Sequence, residues 1–122
     1  MVRFLRTAMA VAALAIAGAP LARAGEAVDL LLVLAADVSR SIDSVKFQLQ
    51  RDGYAAAFLN PRVLEAIRSG KNGRIAVCFV EWSGFLSQKV VIDWMPISNE
   101  ESARQFGDRL IEAPRSFAER TS

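Results

Sequence analysis

Apolar positions along this chain change period several times, and each change marks an element. Val28 to Ala36, VDLLLVLAA, is a near-continuous apolar run with polar residues on both sides. That is the pattern of a strand buried on both faces, as in a parallel sheet covered by helices. From Val45 to Leu59 the period becomes helical: Phe47, Tyr54 and Phe58 share one stripe, with Val45, Leu49, Ala56 and Leu59 beside it. Lys46, Gln50, Arg51 and Asp52 are assigned to the other side. Asp43 or Ser44 can cap this helix. Asn60-Pro61 interrupts it, and Val63 to Ile67 continues as a short helical turn started by the proline.

Ser69-Gly70-Lys71-Asn72-Gly73 reads as a loop. It contains a Gly-Lys pair but lacks the leading glycine and the following Ser/Thr of a phosphate-cradling P-loop. Arg74 to Trp82, RIAVCFVEW, is a second β-rich run, and Gln88 to Trp94, QKVVIDW, is a third strand after a turn at Ser83 to Ser87. So short a connection fits an antiparallel pair, because a parallel return needs a dozen or more residues. Ser98-Asn99-Glu100-Glu101 opens a last helix with acids in its first turn, Ala103, Phe106, Leu110 and Ile111 give its apolar face, and Pro114 ends it. Trp94, Tyr54 and the phenylalanines are assigned to the core. The order strand, helix, strand, strand, helix predicts an open α/β sheet with one antiparallel edge strand.

The first 24 residues follow another logic. Arg3 and Arg6 precede the apolar stretch Ala8 to Ala19, and Pro20 leads into Ala22-Arg23-Ala24. A basic start, an apolar stretch and an A-x-A site make a secretory signal peptide, and the stretch is shorter than the roughly 20 residues of a membrane-spanning helix. A retained signal anchor is the other use of such a segment. Cleavage would leave one domain, residues 25–122, in the periplasm or secreted.

The leader also carries the chain's apparent basicity. The whole sequence has 15 basic and 13 acidic residues; without Arg3, Arg6 and Arg23 the basic residues number 12, a net charge of −1. No clustered Lys/Arg footprint remains for nucleic acid or an anionic membrane. Cys78 stands alone within an apolar run, so it cannot pair within the chain and is read as buried filler. Histidine is absent, which excludes Ser-His-Asp and Cys-His catalysis and His-ligated zinc within these residues.

The candidate chemistry lies where the first strand ends. Asp37, Ser39 and Ser41 follow it as D-x-S-x-S, and ligands of open α/β sheets bind beyond the carboxyl ends of the strands. Alternate spacing in an extended loop can aim the three side chains the same way. A carboxylate with two hydroxyls is a hard oxygen set suited to Mg²⁺ or Mn²⁺ completed by waters. The same residues also serve as an Asx or Ser turn before a helix, so both uses stand open on the residues alone. Glu81 and Trp82 fall on the same rim, where strand-end packing and solvation account for them equally.

The segment DLLLVLAADVSRS resembles the opening of a von Willebrand factor A domain, whose metal-ion-dependent adhesion site begins with D-x-S-x-S after the first strand. The segments VDL-LVLA-DVSRSID, LQRDGYAAAFLNPRVLEAIRSG, GRIAV-FVEWSG and RSF-RTS are similar to an uncharacterised bacterial von Willebrand factor A-like family, the domain of unknown function 1194. The likeness runs from Val28 to Ser122. It implies a Rossmann-like open sheet with the first strand central, of which residues 25–122 are the amino-terminal half. It also implies a metal loop of Asp37, Ser39 and Ser41, the serines coordinating directly and the aspartate acting through water. Thr121 would be a further ligand, although the glycine usual two residues earlier is Glu119. The fourth strand and its aspartate would lie beyond residue 122, which is the basis for expecting a truncated chain whose first strand presents an open apolar edge.

These readings lead to an exported, non-enzymatic module that captures an acidic group on a protein partner through Mg²⁺ or Mn²⁺. No nucleic-acid partner is expected, nor a membrane after leader cleavage. The alternatives are a nonfunctional truncated fragment and a phosphatase-like hydrolase with Asp37 as nucleophile. That hydrolase chemistry usually wants a second aspartate where Ser39 stands.

Overall fold

Six elements follow one another in the computed structural model, which describes residues 25–117. They are β1 (Leu31–Asp37), α1 (Ser44–Leu59), α2 (Pro61–Arg68), β2 (Ile75–Trp82), β3 (Gln88–Ile97) and α3 (Glu100–Glu112). The leader-like residues 1–24, Glu119 and Thr121 lie outside the described residues. Among the described residues the chain is a small α/β fold with an open, mixed, three-stranded sheet in the order β1-β2-β3. β1 runs parallel to β2 from Leu31 opposite Ala76 to Asp37 opposite Trp82. β3 is the antiparallel edge strand, from Gln88 opposite Trp82 to Ile97 opposite Ile75, with its register broken between Val77 and Val80.

Two features differ from expectation. β1 is not buried on both faces: Leu32 and Leu34 pack against the core while Leu31 and Val33 are exposed, because the helices cover one sheet face. Its one sheet neighbour among the described residues is β2, which leaves the open apolar edge expected for this stretch. β3 continues past QKVVIDW through Met95-Pro96-Ile97. A proline is tolerated there because an edge strand leaves backbone N–H positions outside the ladder.

Local chemistry sets the helix ends. Asp43 accepts the Lys46 amide at 2.8 Å and caps α1, and Asn60 accepts the Arg62 amide at 2.9 Å before Pro61 opens α2. At α3, Asn99 Oδ1 accepts the Ser102 amide at 2.8 Å while Ser102 Oγ accepts the Asn99 amide at 3.1 Å, a reciprocal capping box.

The core lies on the sheet face that carries Ile75, Val77 and Phe79, against Ala55 and Phe58 of α1, Leu64 and Ile67 of α2, and Ala103, Phe106 and Leu110 of α3. Phe58 meets Phe106 edge to face at 5.2 Å, and Tyr54 meets Phe79 at 5.7 Å. α1 and α3 approach closely because Gly107 lacks a Cβ, which would stand 3.3 Å from that of Ala55. Cys78 is buried, and burial followed by the nearby Asp93 carboxylate pushes its thiol pKa up, consistent with inert filling. Two aromatic residues assigned to the core are exposed instead, Trp94 on the opposite sheet face and Phe85 at the hairpin tip, and of the apolar helix positions Val45, Leu49 and Leu59 of α1 and Ile111 of α3 are exposed as well.

Asp29 organises the loop from Ser69 to Gly73, whose Gly-Lys pair is not part of a P-loop. Its carboxylate accepts the Asn72 backbone and side-chain amides, each at 2.8 Å, and the Arg74 amide at 3.3 Å. The anion in this loop is therefore the protein's own. A Cβ at Gly70 would collide with the Asp29 carboxyl, so a larger residue there would have to displace that carboxyl from its bonds. The Asn72 amide leads the causes that hold the Asp29 carboxyl below its ordinary value of 3.8. A depressed folded-state pKa means that the loop's contribution is full above 3.8 and fades as pH falls through the lower folded value. We expect the Asn72 backbone amide, followed by NMR, to titrate with a midpoint below 3.8. A midpoint at or above that value would contradict the assignment.

Candidate functional site

The loop from Asp37 to Asp43 leaves β1 and enters α1, and its shape follows from a few specific bonds. The Val38 amide donates to Trp82 O at 2.9 Å, extending the β1–β2 ladder by one residue, and the Val38 side chain is buried. That anchor turns Asp37 and Ser39, its neighbours in sequence, to the other side. Asp37 Oδ1 then accepts the Ser39 amide at 2.8 Å, an Asx turn, and the Ile42 amide donates to Ser39 O at 2.9 Å, a tight turn around Arg40 and Ser41. Gln50 Nε2, reaching from α1, donates to Asp37 O at 3.1 Å.

The outcome is convergence of the hydroxyls: Ser39 Oγ and Ser41 Oγ stand 3.2 Å apart, in hydrogen-bond contact. The Ser39 hydroxyl first, and its amide second, keep the Asp37 carboxyl below its ordinary value, so it is ionised at neutral pH. Of the sequence-derived candidates, Asp37, Ser39 and Ser41 are thus gathered in one turn, whereas Thr121 falls outside the described residues. The turn also satisfies the capping reading in part, but the α1 cap itself is Asp43. Among the described residues no three His, Cys, Asp or Glu side chains gather where they could hold a metal, so any cation site here rests on one carboxylate and hydroxyls.

Adjacent ligands of an octahedral Mg²⁺ with bonds of roughly 2.1 Å lie about 3 Å apart. The separation of 3.2 Å between the Ser39 and Ser41 oxygens is therefore close to one edge of such an octahedron. This donor set fits a hard cation and offers nothing to a soft one.

Behind the loop lies a constellation that sequence reasoning missed. Arg51, assigned to the polar side of α1, is only 2% exposed, and Glu81, assigned to a rim, is 0% exposed. Arg51 Nη2 pairs with Glu81 Oε1 at 3.2 Å, while Arg51 Nη1 donates to Leu110 O and, at 2.9 Å, to Ala113 O. Those carbonyls close the C-terminus of α3, so a residue of α1 caps a different helix. The guanidinium also stacks between aromatic faces, 4.7 Å from the Phe47 centroid and 5.2 Å from that of Phe79. Glu81 Oε1 in turn accepts the Ser116 amide at 3.0 Å. The signal was present in the spacing. Phe47, Arg51, Tyr54 and Phe58 follow i, i+4, i+7, i+11, and Glu81 continues the inward alternation of Ile75, Val77 and Phe79.

Arg115 is the third missed residue. It follows α3, and its Nη2 donates to the loop carbonyls of Val38 at 2.9 Å, Ser39 at 3.2 Å and Ile42 at 2.6 Å. A separate apolar recess of about 490 Å³ lies toward the other end of β1, between Leu30, Leu32, Phe58, Val63 and Ile67, with Arg62 beside it and no gathering of hydroxyls.

A family model described as "Protein of unknown function (DUF1194)" matches residues 27–122. No curated protein and no solved structure matches the chain.

Proposed function

The chain belongs to the family of proteins of unknown function DUF1194, and from that premise and the loop's geometry we propose a non-enzymatic module that binds a hard divalent cation at Asp37, Ser39 and Ser41. The observation that carries this reading is the pair of hydroxyl oxygens 3.2 Å apart beside an ionised carboxylate. Ser39 and Ser41 would hold Mg²⁺ or Mn²⁺ directly. Asp37 would act through water, since its Oδ1 is engaged by the Ser39 amide. The bound ion would supply an electrophilic position for an acidic group.

Charge supports an acidic ligand. The loop contributes the Asp37 carboxylate, and the Arg115 guanidinium against its backbone offsets that charge. A divalent ion there would keep most of its positive charge available to a partner's carboxylate. The von Willebrand factor A-like reading of the family agrees with this chemistry through its D-x-S-x-S loop, and Thr121 remains its candidate for a further ligand. Export to the periplasm or the exterior is part of the same proposal and rests on the leader-like residues 1–24. Among the described residues no helix is long and apolar enough to cross a membrane.

Isothermal titration of Mg²⁺ and Mn²⁺ into the full chain tests the cation. The expected result is saturable binding by the unmodified protein, weakened at least about tenfold in both Asp37→Ala and Ser39→Ala. Titrations indistinguishable among the three proteins would overturn the proposal.

A further inference from the structure

We propose that Arg115 is the positioning residue of the Asp37–Ser41 loop, a built-in cation that holds the turn in the shape that brings the two hydroxyls together. The proposal rests on the cation-binding reading above for its consequence, though not for its geometry. A guanidinium Nη2 carries two N–H groups, yet three carbonyls, Val38, Ser39 and Ile42, lie 2.6–3.2 Å from it. It therefore acts as a cation within a cradle of carbonyl oxygens, with its protons shared.

The choice of carbonyls gives the contact its consequence. Ser39 and Ile42 are the two ends of the turn closed by the Ile42 amide on Ser39 O, and Ser41 lies inside it. Binding both ends to one nitrogen fixes the path of the backbone between Ser39 and Ser41. The carbonyls turn inward toward Arg115, and the hydroxyls converge with each other at 3.2 Å. Without the guanidinium, these carbonyls would repel one another and seek water, and the turn would open.

Arg115 is itself held on both sides. Pro114 O accepts Arg51 Nη2 at 3.4 Å, and the Ser116 amide donates to Glu81 Oε1 at 3.0 Å. The Phe47 ring lies 5.3 Å from the Arg115 guanidinium carbon and 4.7 Å from that of Arg51. A continuous set of contacts thus runs from the buried Arg51–Glu81 pair, through residues 114–116, to the loop. The loop is shaped by the segment after α3, which is remote in sequence.

The test uses the full 122-residue chain with Arg115→Met, which keeps length but removes the charge and donors, and Arg115→Lys, which keeps the charge. Amide hydrogen exchange at Ser39 and Ile42 is measured without metal, and Mn²⁺ affinity by titration. The expected result for Arg115→Met is faster exchange at these two amides, with core amides such as Phe79 unchanged, and Mn²⁺ affinity lowered roughly 10–100-fold, as for other residues that orient metal ligands. Arg115→Lys is expected to recover part of both. Unchanged exchange at Ser39 and Ile42 in Arg115→Met would overturn the proposal, as would exchange that rises equally through the core. If the unmodified protein binds no Mn²⁺, the cation reading fails, and the exchange measurement alone still decides whether Arg115 holds the loop.

Discussion

Replacing Arg51 with methionine is expected to lower stability by about 3–5 kcal/mol, the usual consequence of removing one partner from a buried ion pair. The guanidinium joins α1 to β2 through Glu81 and to α3 through the carbonyls of Leu110 and Ala113, with no solvent available to replace it. Its loss leaves a fully buried carboxylate opposite a thioether and leaves α3 without its C-terminal donor. Glu81→Leu is expected to be similarly costly because it isolates the Arg51 charge. The double replacement, Arg51→Met with Glu81→Leu, is expected to regain most of the loss. Desolvating both ions offsets much of their attraction, and Arg51 Nε and Glu81 Oε2 are buried with no hydrogen-bond partner among the described residues. Urea unfolding of the three variants checks this. Single variants within about 1 kcal/mol of the unmodified protein would show that the pair is worth no more than a surface ion pair.

The second large effect is expected at Phe79, at the centre of β2. Phe79→Ala is expected to cost about 3–5 kcal/mol, a large part of what a small domain has. The ring is fully buried, presents an edge contact to Tyr54 and lies under the Arg51 guanidinium. Its removal therefore opens a cavity and withdraws an aromatic face from the buried ion pair. Phe85→Ala is the internal control: that ring is 96% exposed at the hairpin tip, and its loss is expected to change stability by less than about 0.5 kcal/mol. Equal losses at the two positions, read from the same urea transitions, would contradict the core assignment.

The comparison of Phe79 with Phe85 shows how far the pattern of the chain could be read. Alternation from Ile75 to Glu81 marks an inward face, and Phe79 lies on it. Phe85 stands in a turn where no period applies, so residue type alone assigned it wrongly to the core. Trp94 failed for a different reason: strict alternation groups it with the buried Ile92, but β3 spends an extra residue between Ile92 and Met95, opposite Phe79 and Val77, and that irregularity takes Trp94 out of the inward set. From sequence β3 ends at Trp94, whereas the strand runs on through Pro96, which pairs opposite Ala76 as an edge strand tolerates.

At the site, Asp37, Ser39 and Ser41 were legible because their chemistry is local: a strand end, a turn and a hydroxyl pair within five residues. Arg51, Glu81 and Arg115 were not, although two of them lay on the right period. Charge normally outweighs spacing when a residue is assigned to solvent, because an ion is buried only with a partner, and the partner is 30 residues away for Arg51 and Glu81. Nor does the sequence around Arg115 carry any mark of the loop it reaches, 73–77 residues earlier.

The sequence by itself determined the six elements, the parallel and antiparallel pairings and the place of the D-x-S-x-S loop. Each follows from periodicity, capping residues and connection length, which act over a few positions. Only the tertiary structure decided which sheet face is covered, and that three charged residues distant in the chain shape the backs of the loop and of α3. Those outcomes depend on where backbone carbonyls and buried ions find partners across the core, and such partners are near in space and far apart in the chain.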